Sequence, residues 1–369
     1  MPAPPDQAQP ETLPERMRAI ALTAFGGPEH LAAIDLPVPA PGSGEILIRV
    51  HTVAVNRQDT FTMRGLAQAR YPVPLPHVLG IDPAGVVVAH GPGVAAPALG
   101  ARVVVKPGIA CGACRDCLEG HDDACPTTQN VGVHRQGGMA QYVAVPAQNA
   151  FGIGDDLGFA EATAVAHSFP VALQLMRDRA GLRAGETVLV TGASGAIGSA
   201  AVQLAKLLGA RVIAAACGEE RAAYARWVGA DAVVDYRAEP AFAASVRAFA
   251  PDGVDLYVES AGDPDIWKES LKTVARRGRV AVCGSHAGPL VELDLNWLFR
   301  MRIDILGGSG STLATQQDAI DLARDGRITA NIHGRYPLEQ AADAFAVLLG
   351  RGNRGKVILD VVRPTDRPG

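Results

Sequence analysis

Thr187-Val-Leu-Val-Thr-Gly-Ala-Ser-Gly-Ala-Ile-Gly198 is the stretch that decides the fold of this chain. Its first four residues are β-branched or apolar and predict a buried strand, and small and apolar residues continue past Gly198 at helical spacing. Gly192 permits a tight turn, Gly195 lets backbone N–H groups approach a pyrophosphate, and Gly198 lets helix and strand pack closely.

A glycine triplet also occurs in ordinary strand-to-helix turns. Here the strand before it, the helix after it and a second strand at Arg211–Ala216 favour a dinucleotide site. The predicted cofactor-binding residues of the turn are Ser194, Gly195, Ala196, Ile197 and Gly198.

The chain is long enough for two domains, since 369 residues exceed the usual size of one core. Short apolar runs between Gly and Pro turns indicate a β-rich domain over residues 17–154. Over residues 155–311, short apolar strands alternate with helices, which predicts a doubly wound parallel sheet and an α/β fold. The predicted helices of this region include Gly158–Arg177 and Ile266–Ala275. Two helices and a final strand at 312–369 are expected to return to the first domain.

Composition excludes several classes of protein. A net charge of −4 without a basic run argues against nucleic-acid or anionic-membrane partners. No window holds the ~18 consecutive apolar residues that a membrane-spanning helix requires. Residues 1–16, rich in Pro, Gln and Glu, predict a disordered leader rather than a signal peptide, and we therefore expect a cytoplasmic protein.

Four of the six cysteines lie close together in a loop, and Cys217 and Cys283 are predicted to be small buried hydrophobic residues. In a reducing compartment, four thiolates at such short spacing favour one tetrahedral structural Zn²⁺ over disulfides. An iron–sulfur cluster is a minor alternative. The predicted zinc ligands are Cys111, Cys114, Cys117 and Cys125, in a lobe at about 108–128.

Taken together, the cysteine spacing, the Gly192 turn, Pro76-His-Val-Leu-Gly-Ile-Asp-Pro-Ala-Gly-Val-Val87 and Gly137-Gly-Met-Ala-Gln-Tyr142 resemble the medium-chain dehydrogenase/reductase superfamily. That group includes zinc alcohol dehydrogenases and NADPH:quinone reductases. The resemblance implies a GroES-like catalytic domain (17–154 and 312–369), a Rossmann nucleotide-binding domain (155–311) and a homodimer formed through an edge strand at Ile303–Gly307.

The sequence departs from the alcohol dehydrogenases where they bind a catalytic zinc. The family's first ligand, a cysteine, is replaced by Asn56, and the histidine of the next motif is replaced by Ile81 in Gly80-Ile-Asp82. The third ligand position corresponds loosely to His167. Isoleucine cannot coordinate and an amide replaces thiolate poorly, so we expect no catalytic zinc. Asn56-Arg-Gln-Asp59 resembles the zinc-free quinone and enone reductases.

The expected nucleotide is NADPH in preference to NADH. Alcohol dehydrogenases that select NAD end the second strand with an acid, and here that position is Ala216. Without that carboxylate, a 2′-phosphate could meet Arg221 and Tyr236, as in related NADPH reductases. Glu219 and Glu220 are the counterargument, since either could reach the ribose, but acids are also common in the first turn of a helix.

Without a Lewis acid, developing oxyanion charge must be stabilised by hydrogen bonds, which suits hydride addition to a quinone or conjugated carbonyl. The candidate catalytic residues are Asn56, Asp82 and His167. Each also has a structural interpretation: a turn-forming asparagine, an ion pair with an arginine, and a core histidine.

The leading hypothesis is thus an NADPH-dependent reductase of quinones or α,β-unsaturated carbonyls. One alternative is an alcohol or aldehyde dehydrogenase whose atypical metal site uses Asp82, His167 and water. Another is a non-catalytic nucleotide-binding relative. One zinc per chain would favour the first hypothesis, and two would favour the second.

Overall fold

The computed structural model describes residues 12–66, 72–238 and 241–362. Residues 1–11 of the predicted leader lie outside these ranges. None of the helices within them is long and apolar enough to cross a bilayer.

Two compact units make up the fold. The first runs to His167 and also includes Ile332–Gly352 and the chain from Val357 onward. The second comprises Ser168–Asn331 and the short segment Asn353–Lys356. The chain therefore enters the second unit twice, first for the long segment that begins at Ser168 and then for four residues only, Asn353–Lys356.

The strands are short and are numbered in chain order. They are β1 (Arg16–Leu22), β2 (Leu31–Pro37), β3 (Glu45–Val55), β4 (His77–Val78), β5 (Ala84–His90), β6 (Arg102–Val105), β7 (Gly108–Ile109), β8 (Gln129–Asn130), β9 (Tyr142–Pro146), β10 (Ala150–Gly152), β11 (Thr187–Val190), β12 (Arg211–Ala216), β13 (Ala232–Asp235), β14 (Val254–Glu259), β15 (Val274–Val282), β16 (Asp304–Gly307), β17 (Ile332–Pro337) and β18 (Lys356–Asp360).

The helices mostly follow strands of the second unit. They are α1 (Arg57–Met63), α2 (Arg115–Leu118), α3 (Phe159–Ala166), α4 (Ser168–Leu173), α5 (Ala196–Leu207), α6 (Glu219–Trp227), α7 (Phe242–Phe249), α8 (Pro264–Leu271), α9 (Leu295–Met301), α10 (Leu313–Arg324) and α11 (Ala341–Leu349), with a π-helical turn at Gln174–Arg179.

In the first unit, β3 is the central strand and pairs antiparallel with β5, β9 and β18. The sheet has the order β10-β6-β5-β3-β18-β17, and β2-β1-β4 form a second sheet. Both faces of β3 are buried: Ile46 and Ile48 join one hydrophobic cluster, whereas Leu47 and Val53 join another. This arrangement holds the carboxyl end of β3, where Asn56 follows, rigidly in the unit.

In the second unit, six parallel strands follow the order β13-β12-β11-β14-β15-β16. All four residues of β11 are buried because helices cover both faces of such a sheet. The strand order reverses between β11 and β14, and ligands of open α/β sheets bind beyond the carboxyl ends of the strands at such a point. The predicted doubly wound sheet is confirmed.

Three predictions about elements differ from the structure. The single helix expected at Gly158–Arg177 is divided into α3, α4 and the π-helical turn, and Pro170 within α4 lacks the N–H that a continuous helix would use. β17 was not predicted, because Ile-His-Gly-Arg-Tyr-Pro has no apolar alternation. The helix expected at Ile266–Ala275 ends at Leu271, and Val274 already belongs to β15.

The boundaries between the units also differ from those expected. Residues 155–167 belong to the first unit because α3 packs on β3, β5 and β6. Residues 312–331 belong to the second unit because α10 packs on α4. The C-terminal return to the first unit thus begins with β17, about twenty residues later than the sequence pattern indicated.

Candidate functional site

The turn between β11 and α5 has the close backbone contacts that its glycines predict. Gly192 has φ +63°, and the Gly195 N–H donates to the Gly192 carbonyl oxygen at 2.8 Å. A Cβ on Gly198 would lie 2.1 Å from the same oxygen, so helix and strand could not pack with any other residue there. Gly192 and Gly198 are therefore required by the turn itself.

Gly195 has a different reason to be glycine. It precedes the first residue of α5 with an extended conformation, and a Cβ on it would meet only the Gly192 oxygen, at 3.3 Å. The protein's own atoms do not demand glycine at this position, whereas the close approach of a phosphate would. The first N–H groups of a helix have no partner within the helix, and they attract anions.

A short C-terminal segment, missed by sequence reasoning, lies against this turn. The Gly355 N–H donates to the Ser194 carbonyl oxygen at 3.0 Å, and the Lys356 N–H donates to that of Asn331 at 2.7 Å. Gly355 has φ +78°, and a Cβ on it would lie 2.3 Å from the Asn331 oxygen. Gly355 therefore lies against the phosphate turn, and the residues on either side of it in the sequence, Arg354 and Lys356, are both cationic.

The last residue of β12 is Ala216, which is buried. No carboxylate therefore stands at the end of this strand. The two acids that follow are both paired with arginines: Glu219 with Arg226 at 3.2 Å, and Glu220 with Arg354 at 2.9 Å. Both carboxylates that could read an adenosine ribose therefore face an arginine in this structure, although both are largely exposed to solvent.

Beyond the carboxyl ends of β13 and β14 lies a cavity of about 330 Å³. Tyr236 is half-buried in its wall, and burial raises the pKa of the phenol, which keeps it a hydrogen-bond donor. The charges of Arg237 and Arg221 oppose this rise in the pKa of Tyr236. The lining residues are Tyr236, Arg237, Phe242, Asp263, Asp265, Ile266 and Glu269.

In the first unit, two of the three predicted catalytic residues are in contact. The Asn56 amide nitrogen donates to both Asp82 carboxylate oxygens at 3.1 Å, and the Ala54 N–H donates to Oδ1 at 3.1 Å. The Asp59 carboxylate accepts the N–H groups of Asn56 at 2.8 Å and Gly80 at 3.1 Å. We call these five residues the Asn56 network; both of its carboxylates are fully buried.

These residues do not fit a catalytic zinc. Ile81 is 1% exposed and has no atom that could coordinate a metal. Both carboxylate oxygens of Asp82 accept hydrogen bonds from N–H groups of Ala54 or Asn56. Within the described residues, one set of three or more His, Cys, Asp or Glu side chains converges on a common point, and that set is the four cysteines. A catalytic zinc needs three protein ligands, which the positions of Asn56, Ile81 and His167 do not supply.

The third predicted catalytic residue lies on another element. His167 is half-buried and ends α3, one turn after Thr163, whose hydroxyl is 2.8 Å from that of Thr52 on β3. His51 stacks on Phe159 with ring centroids 4.2 Å apart, as expected for a structural histidine.

The cysteine lobe, residues 108–128, brings the four predicted ligands together. Their sulfur atoms all lie within 4.8 Å of one another, and those of Cys114 and Cys117 are 3.4 Å apart. A tetrahedral zinc with Zn–S bonds of about 2.3 Å requires sulfur atoms ~3.8 Å apart. Backbone N–H groups of Cys114 and Cys111 donate to the sulfurs of Cys111 and Cys125. The lobe therefore fits one structural zinc.

The thiols of the lobe titrate unequally. The Cys111 N–H and the Thr127 hydroxyl lower the pKa of Cys125 to about 6, whereas burial and the neighbouring Cys114 thiol raise the pKa of Cys117 to about 12. Four thiolates so close together repel one another, so they cannot all ionise at neutral pH without a cation. A metal ion would supply that charge and displace the remaining protons.

Two known protein families match this chain. Residues 42–155 match the alcohol dehydrogenase GroES-like domain, and residues 196–325 match the zinc-binding dehydrogenase family. An L-threonine 3-dehydrogenase of Chromobacterium violaceum is 30% identical, with 92% of this chain and 99% of that protein covered.

Two solved structures are also similar. An NAD-dependent alcohol dehydrogenase is 38% identical, with a TM-score of 0.88 and coverage of 94% of this chain and 100% of the other. A Sinorhizobium meliloti protein described as a zinc-binding dehydrogenase, solved with NADP, is 30% identical, with a TM-score of 0.83 and coverage of 94% and 99%.

These relatives extend over almost the whole chain, and the two matched families correspond to its β-rich and nucleotide-binding regions. One of these two proteins is described as NAD-dependent, and the other was solved with NADP. The chain is an NAD(P)-dependent oxidoreductase, and it belongs to the medium-chain dehydrogenase/reductase superfamily, among the zinc-dependent alcohol dehydrogenase-like proteins.

Proposed function

We propose that this oxidoreductase is an NADPH-dependent reductase of quinones or α,β-unsaturated carbonyls that works without a catalytic zinc. The observation that carries the proposal is the Asn56 network. Where zinc alcohol dehydrogenases keep metal ligands, this chain has an amide bound to a buried carboxylate and an isoleucine. An alcohol or simple ketone would depend most on the missing Lewis acid, whereas a conjugated carbonyl spreads the developing charge itself.

When bound, NADPH supplies a hydride from C4 of its nicotinamide ring. With an enone as substrate, residues of this chain would have to stabilise negative charge on the carbonyl oxygen and supply a proton to the α-carbon. His167 is our candidate for the proton donor, since imidazole titrates near neutral pH. Asn56 is the candidate for contact with the substrate or cofactor, and Asp82 fixes its orientation, which makes Asp82 a positioning residue.

The nucleotide is assigned to the second unit. The N–H groups at Ser194–Gly198 would bind the pyrophosphate, helped by the positive end of the α5 dipole. Tyr236 and Arg221 would bind the 2′-phosphate. In the adjoining cavity, whose other walls carry charged side chains, Phe242 and Ile266 would pack against the adenine. The four cysteines would hold the one structural zinc.

A second candidate function, oxidation of an alcohol by a zinc-dependent mechanism, is favoured by the names of the similar proteins, an L-threonine 3-dehydrogenase and an alcohol dehydrogenase. It requires a second zinc per chain. The atypical ligand set of Asp82, His167 and water would have to break the hydrogen bonds from Asn56 and Ala54 to the Asp82 carboxylate.

Two measurements decide between these candidates. Elemental analysis of the purified protein should give one zinc per chain. Oxidation of NADPH should proceed with a quinone or enone and remain unchanged after mild chelation, whereas L-threonine and simple alcohols should not reduce NAD⁺ or NADP⁺. Two zinc atoms per chain, or turnover that chelation abolishes and Zn²⁺ restores, would establish the alcohol dehydrogenase instead. Tight NADPH binding without turnover of any carbonyl would indicate a non-catalytic relative.

We also propose that the protein forms a homodimer through β16, the last strand of the parallel sheet. β16 pairs with β15 on one side, and Ile305 on this strand is 38% exposed. Leu295 and Phe299 of the preceding helix α9 are 66% and 63% exposed. Light scattering after size-exclusion chromatography should give twice the chain mass, and a charged residue at Ile305 should shift the protein towards the monomer.

A further inference from the structure

Arg354 occupies a fixed position beside the phosphate-binding turn. Its neighbour Gly355 donates to the Ser194 carbonyl oxygen, and the Asn353 side chain donates to the Gly355 carbonyl oxygen at 2.8 Å. Because Gly355 has a positive φ and no room for a Cβ, this backbone geometry is tightly determined. The Arg354 side chain therefore begins at the place where a dinucleotide pyrophosphate would bind.

The side chain then extends to the first turn of α6. Arg354 Nη1 lies 2.9 Å from Glu220 Oε2, and Glu220 is the second residue of the helix that follows β12. In a Rossmann fold, the residues just after the second strand read the hydroxyls or phosphate of the adenosine ribose. The Arg354 side chain thus extends from the pyrophosphate-binding turn to the first turn of α6, where NADP would be distinguished from NAD.

The pair with Glu220 is one that a phosphate could replace. The side chains of Arg354 and Glu220 are 37% and 87% exposed, and a solvent-exposed ion pair contributes little to stability. A guanidinium binds a phosphate through parallel hydrogen bonds that are stronger than this. The positive end of the α6 dipole also favours an added anion here.

The neighbouring ion pair serves as a natural contrast. Glu219 and Arg226 both belong to α6, seven residues apart, and their contact links the helix only to itself. Arg354, by comparison, comes from a segment 134 residues away and is held on the nucleotide turn. Both acids are neutralised, but only Arg354 is attached to the element that would bind the cofactor.

We propose that Arg354 is a specificity-determining residue that exchanges Glu220 for the 2′-phosphate of NADPH. The inference rests on the proposed use of NADPH and extends it to a residue outside the region where that choice is usually read. Without Arg354, the Glu220 carboxylate would stand unneutralised beside the phosphate. The arginine therefore has two effects of the same sign: it attracts the phosphate, and it screens a carboxylate that repels it.

The test compares dissociation constants for NADPH and NADH, measured by isothermal titration calorimetry. Arg354→Ala should weaken NADPH binding about tenfold or more, whereas NADH binding should change less than about twofold. Adding Glu220→Gln to that variant should restore several-fold of the lost NADPH affinity, because the repelling carboxylate is gone. Arg354→Lys should fall between wild type and Arg354→Ala. Arg226→Ala is the matched comparison, because it unpairs Glu219 but leaves the nucleotide turn untouched, and it should weaken NADPH binding clearly less than Arg354→Ala does.

Three outcomes would overturn the inference. Equal weakening of NADPH and NADH in Arg354→Ala would place the guanidinium on the pyrophosphate instead. An unchanged NADPH preference in that variant, with wild-type thermal stability, would show that Arg354 does not read the 2′-phosphate, and the proposed function would stand. If the wild-type protein itself prefers NADH, the assignment of NADPH fails before any variant is made.

Discussion

The cysteine lobe and the Asn56 network lie in the same unit. The side chains of the lobe are arranged to bind a metal ion, whereas those of the network are hydrogen-bonded to one another and to backbone N–H groups. In the lobe, four sulfur atoms point towards one another, and Cys111 is exposed to solvent. In the network, Asp59 and Asp82 are fully buried, and each carboxylate accepts N–H groups from its surroundings. One region has four thiols that converge as the ligands of a metal ion do, and the other has carboxylates that accept hydrogen bonds from neighbouring N–H groups.

The difference shows that residue type alone does not make a metal site. Asp82 could bind zinc by its chemistry, yet its oxygens face the Asn56 amide and the Ala54 N–H. Buried carboxylates that accept several hydrogen bonds are stable as anions without a metal. Removing a metal should therefore disturb the lobe alone, and removing a hydrogen-bonding partner should disturb the network alone.

The largest expected effect follows from Cys125→Ser. Loss of the most buried thiol removes one of the four proposed zinc ligands and the sulfur that accepts the Cys111 N–H. We expect zinc content to fall from one per chain towards zero and the free energy of unfolding to fall by roughly 3 kcal/mol or more. Elemental analysis and urea denaturation measure the two quantities.

The matched control for this variant is Cys217→Ser, which changes a cysteine outside the lobe. It should leave the zinc content unchanged and shift the free energy of unfolding by less than about 1 kcal/mol. A Cys125→Ser protein that still held one zinc per chain would show that the bound metal is elsewhere. That result would reverse the roles assigned to the two regions.

A smaller effect is expected from Asp82→Asn. The new amide group must place a donor or an uncharged oxygen opposite the Asn56 amide nitrogen and the Ala54 N–H, which now share a carboxylate. Because the site is fully buried, the lost charge-assisted hydrogen bonds should lower the free energy of unfolding by about 2–4 kcal/mol. Zinc content should remain at one per chain.

Asp156→Asn is the control for Asp82→Asn, since it makes the same chemical change at an exposed position. It should have little effect on stability. A wild-type protein with two zinc atoms and an Asp82→Asn variant with one would mean that the carboxylate coordinates a metal after all. The distinction between the two regions would then disappear.

The cysteines of the lobe and the glycines of the nucleotide turn could be identified from the sequence alone, because their patterns are local. The cysteines lie close together in sequence, and Gly192 and Gly198 act within one turn. Asn56 and Asp82 were also found, but from a resemblance, and their contact was not predicted. They are 26 residues apart, and no local pattern tells which N–H groups a carboxylate will face after the strands pair.

The C-terminal segment was missed for a similar physical reason. Gly355 contacts Ser194, and Arg354 contacts Glu220 across 134 residues of sequence, only because the chain returns to the second unit after α11. The sequence pattern predicted the final strand but not where its first residues would lie. Periodicity reports which face of an element is buried, and it does not report the partner across the fold.

The smallest expected effect is a loss of stability at acidic pH that depends on His77, a buried residue shortly before Gly80. His77 is 1% exposed with Nε2 3.2 Å from the Gly132 oxygen, and burial, aided by His134, lowers its pKa below the ordinary 6.5. Below that pH the unfolded chain binds a proton that the folded chain resists, so stability should fall by up to about 1.4 kcal/mol per pH unit until the lowered pKa is passed. His77→Gln should flatten this slope in urea denaturation at about pH 7 and pH 5.5, and the exposed His286→Gln should not. An unchanged slope in His77→Gln would show that this histidine is protonated as easily in the folded protein as in the unfolded chain.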